Sequence, residues 1–386
     1  MGQKVTAILL VFGLLTLVFG VATFFLVAEG IAPILGVILA TVCATVAWSR
    51  MPGMSKAVRR VFEGQRRFAV SYGALFVVAL PFILHDNPYA VHMLFLAGLY
   101  VILAIGLDFQ VGSTNLVNFA TASSYGVGAY TAALLGVNFG WSFWVVLPIS
   151  GVAGALFGYL LGLPTMKTKT YYLSLVTMAV GLIIFLLLNN LSWTGGPNGI
   201  AGIPFPTLGG FSFGDGVTVL GVELPFQANF YYLVLLVILV EYIVAERLHM
   251  SKVGLAWNAI RDDEIAAECQ GIDVTGYKIM AFYTNAFFDG LAGAIYAYSA
   301  SFISPENFAF MLSVIVIAMV LLGGMGNTMG VMIGAVVLTL IPEKFQVAEA
   351  YRLWLFAAVI LIVLITRPKG LLPQSVRAYH SGKAGA

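Results

Sequence analysis

Charge is scarce in this chain. Of its 386 residues, 17 are Asp or Glu and 19 are Lys or Arg, nine per cent in all, while sixty per cent are hydrophobic. That balance excludes an ordinary soluble globular domain. Cysteine is nearly absent: Cys43 falls in an apolar run and Cys269 in a polar loop, so no disulfide framework is expected. The four histidines, His85, His92, His249 and His380, are scattered without metal-ligand spacing. Neither a G-x-S-x-G nucleophile turn nor a G-x-x-x-x-G-K-[ST] phosphate cradle occurs. With no catalytic grouping of Ser, Cys or carboxylates either, the sequence does not read as an enzyme.

Long apolar runs are what the chain has. They lie at about 6–28, 31–48, 68–84, 89–108, 118–136, 141–163, 171–189, 228–246, 279–299, 310–323, 329–343 and 353–366. Crossing a hydrocarbon layer of ~30 Å takes roughly 20 residues per helix, and some of these runs are short enough to be tilted or re-entrant. The pattern predicts an all-α polytopic membrane protein of about 10–12 transmembrane helices. A barrel would show short alternating strands instead. The opening segment lacks a small-x-small cleavage site and is too long for a signal peptide's apolar region, so it reads as a retained first helix.

Basic residues set the orientation. With the N-terminus in the cytosol, 17 of the 19 Lys and Arg fall in cytosolic segments, and only Lys344 and Arg352 do not. Both termini are therefore expected in the cytosol. This loop bias also explains the net charge of +2, which gives no argument for nucleic-acid binding. The basic loop 50–67 reads as a topology anchor or as a contact for anionic lipid headgroups. Residues 1–85 look like accessory helices with that loop, 86–373 like the main membrane domain, and 374–386 like a cytosolic tail. The stretch Asn190 to Gln227, rich in Gly and Pro and free of Lys and Arg, is expected on the outer face as a lid or docking surface. Glycines spaced by four, at Gly154, Gly158 and Gly162 and at Gly326, Gly330 and Gly334, suit close helix packing, either at a seam between subunits or within one.

One long hydrophilic island, Arg247 to Lys278, interrupts the membrane pattern. Within it Trp257, Ile260, Ile265, Ala266 and Cys269 recur at roughly helical spacing, with Arg261, Asp262, Asp263, Glu264 and Glu268 between them. Asp262 or Asp263 is placed to cap a short helix that ends near Gly271. Such a helix is either a lever for an external partner or simply a solvated amphipathic loop.

The string AIRDDEIAAECQGIDVTGYKIMAF at 259–282 resembles the coupling loop of LivM-type permeases of ATP-binding-cassette (ABC) importers for branched-chain amino acids. TGGPNGIAGIP at 194–204, ISPENF at 303–308, VLLGGMGNTMG at 320–330 and RPKGLLP at 367–373 resemble further signatures of that family, in the family's order. The resemblance spans about residues 89–373. It implies a type-II-like importer bundle in the bacterial inner membrane. It also implies a second, related permease (LivH-type), two ABC ATPases below and a periplasmic binding protein outside. This chain would need no cofactor, ATP and Mg being bound by the ATPases. On the matching loop, the ATPase contact is implied at Arg261, Asp262, Asp263, Glu264, Ala267 and Gly271.

The substrate path is less marked. Asp108–Tyr130 is too rich in Ser, Thr, Asn and Gly for a lipid-facing helix, and reads as a broken helix with Asn118, Thr121, Ser123 and Tyr125 as path candidates. Residues 116–121, LVNFAT, depart from the family's usual GLSLGH. Asp289, with Asn285 one turn earlier, sits deep in an apolar run where the family usually has a small apolar residue. It is read either as facing the path or as a packing lock. Asp108 and Glu241 lie near predicted helix ends, where solvation is easy. The alternatives are a urea or short-amide importer permease and an ion-coupled carrier, the latter predicting paired intramembrane carboxylates.

Overall fold

The computed structural model describes residues 2–28, 65–166, 170–219, 221–344 and 370–372, with single positions at 33, 36, 357, 361 and 365. Apart from those single positions, the runs 31–48 and 353–366 lie outside the described residues, as do most of the basic loop, Cys43, Lys167, Lys169 and the tail.

Each other apolar run is a helix where the pattern put it. In chain order these are α1 (Gly2–Val27), α2 (Arg66–Ile83), α3 (Pro88–Thr114), α4 (Thr121–Phe139), α5 (Phe143–Gly162), α6 (Thr170–Asn190) and α7 (Gln227–His249). Two short helices follow, α8 (Lys252–Asp262) and α9 (Glu264–Cys269), and then α10 (Val274–Ala300), α11 (Phe310–Gly323) and α12 (Thr328–Lys344). Among the described residues, five helical segments are long and apolar enough to cross a membrane: α3, α5, α6, α7, and α11 with the turn before it. Helices α4 and α10 have the length, but glycines and polar side chains dilute their apolar character. Burial shows why that is tolerated. Twelve residues of α4 and fifteen of α10 are buried, so protein rather than lipid surrounds them. By contrast, the apolar window of α6 is only 22% buried, against 83% for α3.

The chain separates into two compact units, residues 1–92 with 216–228, and residues 93–215 with 229–386. In the first, α1 and α2 pack through Phe19 stacked on Phe76 at 4.0 Å, and Thr16 and Tyr72 hydroxyls meet at 3.0 Å. Strands β4 (Val217–Val219) and β5 (Val222–Leu224) form a hairpin there.

In the second unit, α10 packs against α4 and α5, and glycines set the spacing. A Cβ on Gly128 of α4 would strike the backbone of Gly290 on α10; one on Gly154 of α5 would strike the carbonyl of Ala286; one on Gly293 would strike that of Tyr125. Removing side chains lets backbones approach closely, which is how helices associate where no hydrophobic drive separates protein from lipid. The Gly154–Gly158–Gly162 ridge therefore packs within the subunit, on α10. Gly330 and Gly334 do the same for α11 against α12, whereas Gly326 lies in the turn between them.

Two sequence expectations need correction. Glu241 and Asp108 are not at solvated helix ends. Helices α7 and α3 run on to His249 and Thr114, which leaves both carboxylates inside their helices and buried.

Candidate coupling and translocation sites

The polar island folds as two helices rather than one. Ser251 caps α8, its hydroxyl accepting from Val253 N. The chain then turns extended at Asp263, whose carboxylate caps α9 by accepting from Ile265 N at 2.9 Å and Ala266 N at 3.0 Å. Two bonds to orphan amides, with an anion at the positive end of a helix, suffice to restart the helix after a one-residue break. The break shifts the helical phase. Trp257 and Ile260 are buried as the periodicity indicates, but Ile265 is 75% exposed, Ala266 and Cys269 are exposed too, and Ala267 is buried instead. Gly271 ends the segment with φ +79°, the left-handed position glycine adopts without strain.

This elbow is tied to two long helices. Trp257 Nε1 donates to Tyr277 O on α10 at 2.9 Å, and Arg261 Nη1 donates to Gly112 O near the end of α3 at 3.0 Å. Lys278 Nζ of α10 reaches Glu264 Oε2 at 2.7 Å. Of the six implied contact residues, Arg261 and Glu264 thus hold the elbow to the bundle and Ala267 is 3% exposed. Asp262, Asp263 and Gly271 lie on the surface.

A second linkage continues from α3. Asp108 Oδ1 accepts from Gly326 N at 2.8 Å, joining α3 to the α11–α12 turn. Leu371 N and Leu372 N donate to Leu322 O and Gly323 O at 2.8 and 3.0 Å, and Asn327 Nδ2 donates to Leu372 O. The GGMGN motif and residues 370–372 are therefore one structure. The other two motifs also meet: β1 (Ile200–Ala201) pairs antiparallel with β6 (Phe302–Ile303), and Gly199 lies against the carbonyl of Ile303. A short hairpin of β2 (Thr207–Leu208) and β3 (Phe211–Ser212) completes the loop 200–215.

The expected helix break falls at 115–120, between α3 and α4. Backbone groups freed there are satisfied by hydroxyls from other helices. Phe119 N donates to Thr177 Oγ1 at 3.1 Å, Ser174 Oγ donates to Val117 O at 3.2 Å, and Ala122 N donates to Ser313 Oγ at 2.9 Å. Irregular backbone survives at membrane depth only with such partners. Ser174, Thr177 and Ser313 were not singled out from sequence; the available signal was an isolated hydroxyl in an apolar helix.

The six path candidates do not converge on one surface. Asn118 is buried and its Oδ1 accepts from Ala120 N at 2.8 Å; Ser123 Oγ donates to Gly181 O at 3.4 Å; Thr121 is fully buried. Asn285 and Asp289 are buried on α10. Tyr125 alone lines the cavity found among α3, α4, α10, α11 and α12. That cavity has a volume of about 290 Å³, close to the lower end of the ~300–1,000 Å³ usual for small-molecule sites. Its walls are largely aliphatic, with Leu99, Leu103, Ile315, Met319 and Leu338, and its polar groups are Tyr125, Tyr296, Asn307, Thr339 and Glu343 with Tyr100 beside them. Asn307 is fixed in place, donating to Tyr296 Oη at 3.0 Å and accepting from Ser304 N at 2.8 Å.

A glycine-packed helical bundle with long apolar helices and an elbow anchored to its core is the architecture of a multi-pass membrane protein. The chain belongs to the family described as branched-chain amino acid transport system, permease component, which matches residues 89–366. The LivM permease protein of the high-affinity branched-chain amino acid transport system of Salmonella typhimurium is 37% identical over 78% of this chain and 74% of its own. Its Escherichia coli K12 counterpart is 37% identical over 81% and 76%. The E. coli K12 LivH permease protein is 24% identical over 72% of this chain and 92% of its own. No solved structure matches.

Proposed function

We propose that the chain is the membrane-spanning subunit of an ATP-driven importer and carries branched-chain or related amino acids. The observation that supports this most is the elbow: in a chain of this permease family, α8 and α9 present an exposed face while being fixed to α3 and α10. On this reading a separate ATPase seats on Asp262, Asp263, Ile265 and Gly271. When two such ATPases close on ATP and Mg, the pull passes through Arg261 to α3 and through Trp257 and Lys278 to α10. Asp108 carries it on to the α11–α12 turn. The bundle then switches between outward- and inward-facing states, because packed helices respond as bistable units.

A related LivH-type permease completes the path, a periplasmic binding protein supplies cargo at the 190–227 side, and both termini lie in the cytosol of a bacterial inner membrane. The aliphatic walls of the cavity suit a branched hydrocarbon side chain, and its few polar groups suit an ammonium and carboxylate. Urea would leave those walls unfilled. The test is uptake by proteoliposomes holding the full complex. Leucine should accumulate only with ATP, both ATPases and the binding protein. Uptake without an ATPase, or of urea in preference to leucine, refutes the assignment.

A further inference from the structure

Three buried polar side chains of the second unit have no role in the scheme above: Glu241 on α7, and Asn285 and Asp289 on α10. Each is 0% exposed. Both oxygens of Glu241, both of Asp289, and Oδ1 and Nδ2 of Asn285 lack a hydrogen-bond partner among the described residues. Asn285 and Asp289 are four apart on one helix and project from the same face one turn apart. Glu241 is within electrostatic reach of Asp289, the one ionisable group recorded beside it.

Among the described residues, no cation is recorded beside Glu241 or Asp289. On α3, Gly106 stands opposite Asn285, and a Cβ there would press on Asn285 Oδ1. Helices α4 and α5 bring Gly128, Ser150, Gly151 and Gly154 against Gly290 and Ala286. Of the other ionisable groups along these helices, Lys278 is engaged with Glu264, Asp108 with Gly326 N, and His249 lies beside the Ser113 hydroxyl, while Arg247 falls in the last turn of α7, beyond Glu241.

Buried polar groups in folded proteins are nearly always satisfied, and two carboxylates within electrostatic reach of each other inside a membrane bundle are costly without a positive partner. We propose that Glu241 and Asp289, with Asn285 Oδ1 as a neutral oxygen donor, bind a small monovalent cation, a proton or Na⁺, between α7 and α10. Hard oxygen donors suit either occupant. A divalent ion needs six or more oxygens or several retained waters, more than these three side chains supply. Paired intramembrane carboxylates are the feature expected of an ion-coupled carrier, so here an ion site sits inside a permease of the ATP-driven family. Its occupancy stabilises the helix pair whether or not the transport assignment holds.

The experiment reads thermal stability of the purified complex in nanodiscs. NaCl is titrated against choline chloride at constant ionic strength and mildly alkaline pH, and pH is then varied in choline alone. For Na⁺, the wild type shows a saturable rise in Tm with NaCl that Glu241→Gln/Asp289→Asn lacks. For a proton, NaCl has no effect, and acidification raises the wild-type Tm but not that of the double variant. A wild type that responds to neither, or responds as the double variant does, overturns the proposal. Should the double variant not assemble, the wild type decides alone: calorimetry detects Na⁺ binding, or infrared difference spectra show a buried carboxyl band that moves with pH. Absence of both overturns it equally.

Discussion

Breaking the Glu264–Lys278 pair from its two sides should have unequal effects. Lys278 is buried, its side chain 6% exposed, whereas the Glu264 side chain is 37% exposed. Lys278 also lies in the second turn of α10, near the positive end of that helix, so the carboxylate is what makes a cation tolerable there. Glu264→Gln leaves a buried ammonium without its counter-charge. Breaking fully buried pairs costs about 3–5 kcal/mol; partial access to water on the Glu264 side lowers this to roughly 2 kcal/mol. Lys278→Met keeps the apolar stem and leaves a carboxylate that turns to water, so its cost stays below about 1 kcal/mol. Taking roughly 2 °C per kcal/mol for a large domain, Glu264→Gln lowers Tm by about 4 °C and Lys278→Met by about 2 °C or less. The double variant should lie closer to Lys278→Met than to Glu264→Gln. Fluorescence-monitored melting of the detergent-purified complex gives the ranking. A larger loss in Lys278→Met than in Glu264→Gln refutes the reasoning, because it places the stability in the carboxylate's environment rather than in the buried cation.

Other substitutions test other joints. Gly271→Pro cannot adopt φ +79°, so it should distort the end of the elbow and abolish binding-protein-stimulated ATP hydrolysis while membrane insertion, followed by fractionation, persists. Thr177→Val removes the hydroxyl that accepts from Phe119 N and should destabilise by about 1–3 kcal/mol, with Thr177→Ser close to wild type in the same melt. Gly290→Val would force a side chain into the carbonyl of Ser150. It should prevent α10 from seating, seen as loss of the monodisperse complex on size exclusion.

Much of the bundle was legible because lipid imposes a simple rule: hydrophobic length marks a span. The break at 115–120 was legible too, since Ser, Thr, Asn and Gly gather there. Its supports were not. Thr177, Ser174 and Ser313 are brought to the break by tertiary packing, and a hydroxyl in an apolar helix is all that marks them locally. In the elbow, Trp257 and Ile260 followed the helical period, but the extended residue at Asp263 reset the phase, and Ile265 came out to the surface. Glu241 was misread because the polar residues after it suggested an ending helix, whereas α7 continues for two more turns. The four signature motifs were recognisable as strings, yet only the structure shows that they join in pairs, 199–201 with 302–303 and 322–327 with 370–372.

The seat of the ATPase on the α8–α9 elbow is tested most directly by cross-linking. Ile265→Cys in a Cys269→Ala background places one thiol on the exposed face of α9, and a short bifunctional reagent is applied to the assembled complex with and without ATP. The account predicts a cross-link to the nucleotide-hydrolysing subunit whose yield changes with nucleotide. An intact, transport-competent complex that gives no such cross-link would contradict it.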